Sequence, residues 1–150
     1  MKETAAAWKR GRGKLGALAP LLGSWEATAQ TPMGTVRCSR SFMPILNNTY
    51  IQLIARWKFK KGGYEEQAIF GVDEGQLVFW SFTSDGKHSR GALADVRDIH
   101  PQAVGFEAQL PAGLARMAYW PSEMGGFSWA VEAKTKKGWK RFTEHHYLPT

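Results

Sequence analysis

Cysteine is almost absent. Cys38 is the single one in 150 residues, so no intrachain disulfide can hold the fold, and a reducing compartment is the expected setting. Long apolar runs are missing too. None approaches the roughly 18 residues that a membrane-crossing helix needs, and no membrane insertion is expected. The start does not read as a secretory leader. Residues 1–14 carry many charges, and the apolar stretch 15–22 is broken by Gly16 and Pro20. A cytoplasmic location is therefore the expectation. The short signatures of common catalytic loops are also lacking: no serine elbow, no phosphate loop, no zinc-protease helix motif and no dinucleotide fingerprint. Arg10-Gly11-Arg12-Gly13-Lys14 has the glycines of a phosphate loop without its spacing or its Ser/Thr. No catalytic residue is assigned.

Acidic residues are short in supply, 13 against 20 basic ones, for a net charge of +7. That excess is uneven. Lys2, Lys9, Arg10, Arg12 and Lys14 against Glu3 put +4 of it into the first fourteen residues. A second basic run follows at Lys134, Lys136, Lys137, Lys140 and Arg141. Blocks of this kind are ordinarily solvated arms and hairpins. The division expected is a basic arm over 1–13 and one folded domain over 14–150.

What the sequence does have is alternation. Residues 2–10 read as a short helix stopped by Gly11 and Gly13, and 15–22 as a short helical turn at Pro20. After that the period is two. Ten strands are predicted, at 24–31, 35–43, 49–59, 64–72, 77–83, 87–94, 103–110, 114–120, 127–134 and 139–148. The third is the clearest. Ile51, Leu53, Ala55, Trp57 and Phe59 share one face, while Gln52, Arg56 and Lys58 share the other. Turn signals such as Lys61-Gly62-Gly63 and Asp85-Gly86 fall between strands at short intervals. No interval holds the crossover helix that parallel strands require. The fold class is all-β and antiparallel. Ten sequential strands bury their edges best by closing into an up-and-down barrel, with a β-sandwich as the runner-up.

The segment Leu21-Leu22-Gly23-Ser24-Trp25-Glu26 resembles the opening of a calycin, the superfamily of lipocalins, fatty-acid-binding proteins and nitrobindins. Gly23 and Trp25 match its Gly-x-Trp, which follows a helical turn. The segment from Gly138 through Trp139, Lys140, Arg141 and Phe142 to Tyr147 is similar to the last strand of a bacterial calycin-like family of unknown function. The resemblance implies a barrel around a cavity, with Trp25 at its closed end under a cation from the last strand, Arg141 or Lys140. It also implies a lipocalin-like binding protein. Glu26, Ala27, Thr28 and Ala29 stand where nitrobindins carry further glycines.

Candidate site residues follow from the face assignments. Trp57, Phe79, Phe106, Met117 and Trp129 are expected to bind ligand on the cavity wall, with Phe59, Phe70 and Phe142 beside them. His145 and His146 are neighbours on one strand and must point to opposite faces. Phe142, Glu144, His146 and Leu148 share a face that reads as inward, which makes His146 the inward histidine and Glu144 its companion. By analogy with nitrobindins, His146 is then a candidate metal ligand, and only for haem. Arg56, Arg90 or Tyr119 could meet a polar head group. His88, Arg90 and Glu107 could converge, and Asp95, Asp98 and His100 could collect a metal ion. Cys38, in phase with Val36, reads as a small buried apolar residue.

The function expected is binding of a small, largely apolar or amphipathic ligand in the barrel, without a cofactor. The alternatives are haem binding, and nucleic-acid or other polyanion binding through the arm around Trp8. A homodimer is the oligomer allowed.

Overall fold

Alternating strands joined by tight turns can bury one face only by curling, and here the curl closes. The computed structural model describes residues 8–150. A 3-10 helix, Lys14–Leu21, precedes ten strands: β1 (Gly23–Thr31), β2 (Gly34–Ile45), β3 (Tyr50–Lys58), β4 (Gly63–Asp73), β5 (Gln76–Thr83), β6 (His88–Ala94), β7 (Val104–Leu110), β8 (Gly113–Pro121), β9 (Phe127–Thr135) and β10 (Gly138–Pro149). Each pairs antiparallel with the next, and β10 returns to β1. The expected up-and-down barrel is thus observed. The helix expected over 2–10 lies mostly outside the described residues, and Trp8–Arg10 are not helical.

The 3-10 helix plugs one end. Its Ala17, Leu18 and Leu21 are buried in the core. Leu21 also fixes the entry to β1, because its carbonyl accepts the Trp25 indole N–H at 2.7 Å. Gly23 makes the corner between them at φ 117°, a conformation that a side chain would strain. The Gly-x-Trp motif is therefore a hinge between plug and wall. Trp25 packs edge-on against Phe127, with ring centroids 4.9 Å apart. No cation from β10 covers it. Arg141 lies instead on the outer wall, over Trp120 at 5.2 Å.

Two ladders in the wall are short. β1 meets β10 only at Trp25–Pro149 and Glu26–Leu148. β6 meets β7 only from Ala92–Glu107 to Ala94–Gly105, so His88–Gly91 run without partners on β7. The link after β6 folds back over the outer wall, where Val96 covers Gly105.

β10 departs from simple alternation. Its register against β9 shifts between Arg141 and Thr143. Phe142 is the extra residue of this bulge, and every residue after it changes face. Arg141 and Phe142 both face solvent, Thr143 turns in, and His145 and Tyr147 follow it into the core. The expected inward face is reversed as a result. Phe142 is 62% exposed and Leu148 51%.

Candidate functional site

The barrel interior has three layers. Next to the plug, Phe42, Phe127, Tyr119 and Tyr147 form an aromatic cluster, with Phe127 stacked on Tyr147 at 5.1 Å. Phe70 packs deeper still, against Phe79 and Phe106. At the open end is a cavity of about 290 Å³. Trp57, Phe79, Phe106, Met117, Trp129 and Val131 supply its apolar wall, and Tyr64, Glu66, Ser81, Thr83 and Ser89 its polar side. Five of the six residues expected to bind ligand thus meet around one space, each placed there by strand alternation. Gly91 gives the Phe79 ring its place, since a Cβ there would sit 2.2 Å from the ring.

Between these layers sits Arg40, which sequence reading missed. Its side chain points inward from β2 in phase with Val36, Cys38 and Phe42, and it is 1% exposed. Among the described residues no carboxylate lies within ion-pairing distance, and the charge that reaches it is that of Glu66 on the cavity wall. Arg40 Nη1 donates to the Tyr119 hydroxyl at 2.7 Å. Its guanidinium lies over Trp129 at 4.3 Å and is flanked by Tyr119, Trp57 and Tyr147 at 5.6–5.8 Å. Among the described residues, Arg40 Nε and Trp129 Nε1 are buried donors without a partner. A buried cation normally sits beside a carboxylate, because removing charge from water is otherwise expensive. Here aromatic faces and one phenol stand in for it.

Burial, more than this cation, sets the chemistry of its neighbours. His145 is 6% exposed, and its Nδ1 is 3.1 Å from the Tyr147 hydroxyl. Burial, then Arg40, then His146, push its pKa from 6.5 down to about 4, so it is neutral at pH 7. Burial lifts the Cys38 thiol to about 11 despite the nearby Arg40, which makes it a poor nucleophile. Burial also raises the Tyr119 and Tyr147 phenols.

Other sequence candidates lie elsewhere. His146 is on the outside, its side chain 60% exposed, with Nε2 3.1 Å from Glu144 and Nδ1 2.8 Å from Ser128 Oγ. The bulge at Phe142 put it there, and His145 took the inward place. Arg56 and Arg90 point outward, to Glu65 and Asp73, so of the three head-group candidates only Tyr119 is inside. His88 is exposed beside Phe82. Asp95 is bound to Arg97, Asp98 to Arg116, and His100 Nδ1 accepts the Gln102 amide. Among the described residues no cluster is arranged to hold a metal ion. In the arm, Trp8 is half-buried against the core, and Lys9, Arg10, Arg12 and Lys14 are exposed.

No family model matches the chain, and neither does any curated protein. Among solved structures it is similar to a de novo designed fluorescence-activating β-barrel. That match has 20% identity and a TM-score of 0.44, over 68% of this chain and 93% of that one. A likeness at this level speaks to neither ligand nor activity.

Proposed function

We propose that this chain is a calycin-like binding protein that holds a small amphipathic molecule in its barrel. The apolar body lies in the cavity, and an anionic or acceptor-rich end reaches past Trp57 and Trp129 to Arg40. The observation that carries this reading is the buried Arg40, which among the described residues has no carboxylate within ion-pairing distance, with an orphan Nε beside the orphan Nε1 of Trp129. An acceptor there gains charge-assisted hydrogen bonds in a dry site, while its chain is desolvated by Phe79, Phe106 and Met117. Haem does not fit the ligand assigned to it, because His146 lies outside the barrel and cannot reach a group within.

Titration with decanoate and with decanol, followed by quenching of tryptophan emission, tests the proposal. Decanoate is expected to bind at least about tenfold tighter than decanol, and Arg40→Met to abolish that preference. Equal affinity for both in the wild type, or binding of neither, overturns it.

A further inference from the structure

In a sequentially connected antiparallel barrel, alternate connections gather at the same end. The connections between strands differ in charge from one end to the other. The turns at the open end, 32–33, 59–62, 84–87, 111–112 and 136–137, carry Lys60, Lys61, Lys87, Lys136 and Lys137 against Asp85 alone. The connections between strands at the plugged end carry Glu74, Asp95, Asp98 and Glu123 against Arg97 alone. All five rim lysines are exposed. Among the described residues none of them reaches a carboxylate, because every ion pair is made by arginine or by His146. The cavity mouth lies inside this ring. At the tip of the first rim turn stands Met33, 79% exposed.

We infer that the open rim is a docking face for an anionic bilayer surface. The lysines sit on three separate hairpin turns around a mouth, a layout that meets a plane. A nucleic-acid strand follows a groove, whereas these lysines surround an opening. Lysines that are free of acidic partners keep their full attraction for acidic head groups, and an exposed methionine can enter the interface. Docked this way, the mouth faces the phase in which amphipathic molecules are dissolved. The strands stay outside the hydrocarbon. Docking does not require the ligand proposed above, so the two readings fail separately.

Co-sedimentation of the full chain with phosphatidylcholine vesicles, with and without phosphatidylglycerol, is the test. The rim variant is Lys60→Glu, Lys61→Glu, Lys136→Glu and Lys137→Glu together. A control of equal charge change is Lys9→Glu, Arg10→Glu, Arg12→Glu and Lys14→Glu. The expected result is salt-sensitive binding to the anionic vesicles only, at least about tenfold weaker in the rim variant and nearly unchanged in the control. Met33→Ser is expected to weaken it about threefold at constant charge. Failure to bind anionic vesicles overturns the inference. So does loss of binding in the control but not in the rim variant, or tighter binding of the rim to an oligonucleotide than to vesicles. Far-UV circular dichroism of each variant shows that the barrel is intact, and substitution of the same four rim lysines by Gln replaces the reversal if it is not.

Discussion

Two arginines are buried in this molecule, one on each side of the barrel wall, and they are treated in opposite ways. Arg116, on the outer face of β8, is 5% exposed in its side chain and is saturated with partners. It forks onto Asp98 at 2.7 and 3.0 Å, bonds Glu132 at 2.8 Å and lies 4.4 Å over the Trp139 ring. Glu132 then passes the chain of charges on to Arg141, and Arg141 passes it to Glu144. Arg40, inside, has one phenol and four aromatic faces. The outer arginine has its compensation in the fold, where it pins the link after β6 to the wall. The inner one is left with bonding capacity to spare. A cation satisfied by its own chain is structural; one that is not can receive something else.

That contrast can be broken by substitution. Arg116→Met leaves the buried Glu132 carboxylate with Arg141 alone, and chemical denaturation is expected to show a loss of about 3 kcal/mol. Adding Glu132→Leu should restore much of it, since the pair is removed together.

Acid titration acts on the inner site from another side. The folded state holds His145 near pKa 4, against an ordinary 6.5 when unfolded. The unfolded chain therefore binds the proton first. Stability is complete above about pH 6.5 and drains away as pH falls to the folded value, by about 3 kcal/mol near pH 4. His145→Gln should flatten that slope in pH-dependent unfolding, while the outward His146→Gln leaves it in place. Arg40→Met should change stability by no more than about 1 kcal/mol, in the same denaturation assay that shows the large effect at Arg116. A loss of several kcal/mol there would make Arg40 a structural ion and erase the contrast. The smallest effect concerns Cys38: with its thiol pushed up to about 11, alkylation of native protein at pH 8 should proceed only as fast as unfolding allows.

Most of the architecture was legible because alternation and turns are local signals. β3 shows its inward face in four consecutive odd positions, Ile51 to Trp57, and Asp85-Gly86 marks a hairpin without any tertiary knowledge. Trp57, Phe79, Phe106, Met117 and Trp129 could be brought together from phase alone. The errors arise where one residue changes the count. The bulge at Phe142 is stabilised by Arg141 reaching Glu132 on the neighbouring strand, a contact that no local pattern announces, and it exchanged His146 for His145. Arg40 had a signal that could have been read. An arginine in phase with Val36, Cys38 and Phe42 is a charge on a buried face. The link with Asp95, Asp98 and His100 suggested a metal by composition, but its acids had already been claimed by Arg97 and Arg116.

The β6–β7 ladder has a kinetic meaning. Only three residue pairs tie those strands, between Ala92–Ala94 and Gly105–Glu107. The unladdered ends, Ser89 on β6 with Ala108 and Leu110 on β7, are cavity residues. Parting them disturbs a few hydrogen bonds, while unfolding disturbs ten strands, so the free energy of this fluctuation lies far below that of the whole barrel. Those amides of His88–Gly91 that point toward β7, and not the ones laddered to β5, should exchange with deuterium well ahead of the amides of β3. The residence time of a guest would then be governed by a local flap in the wall, and a protein of high global stability could still exchange its contents quickly.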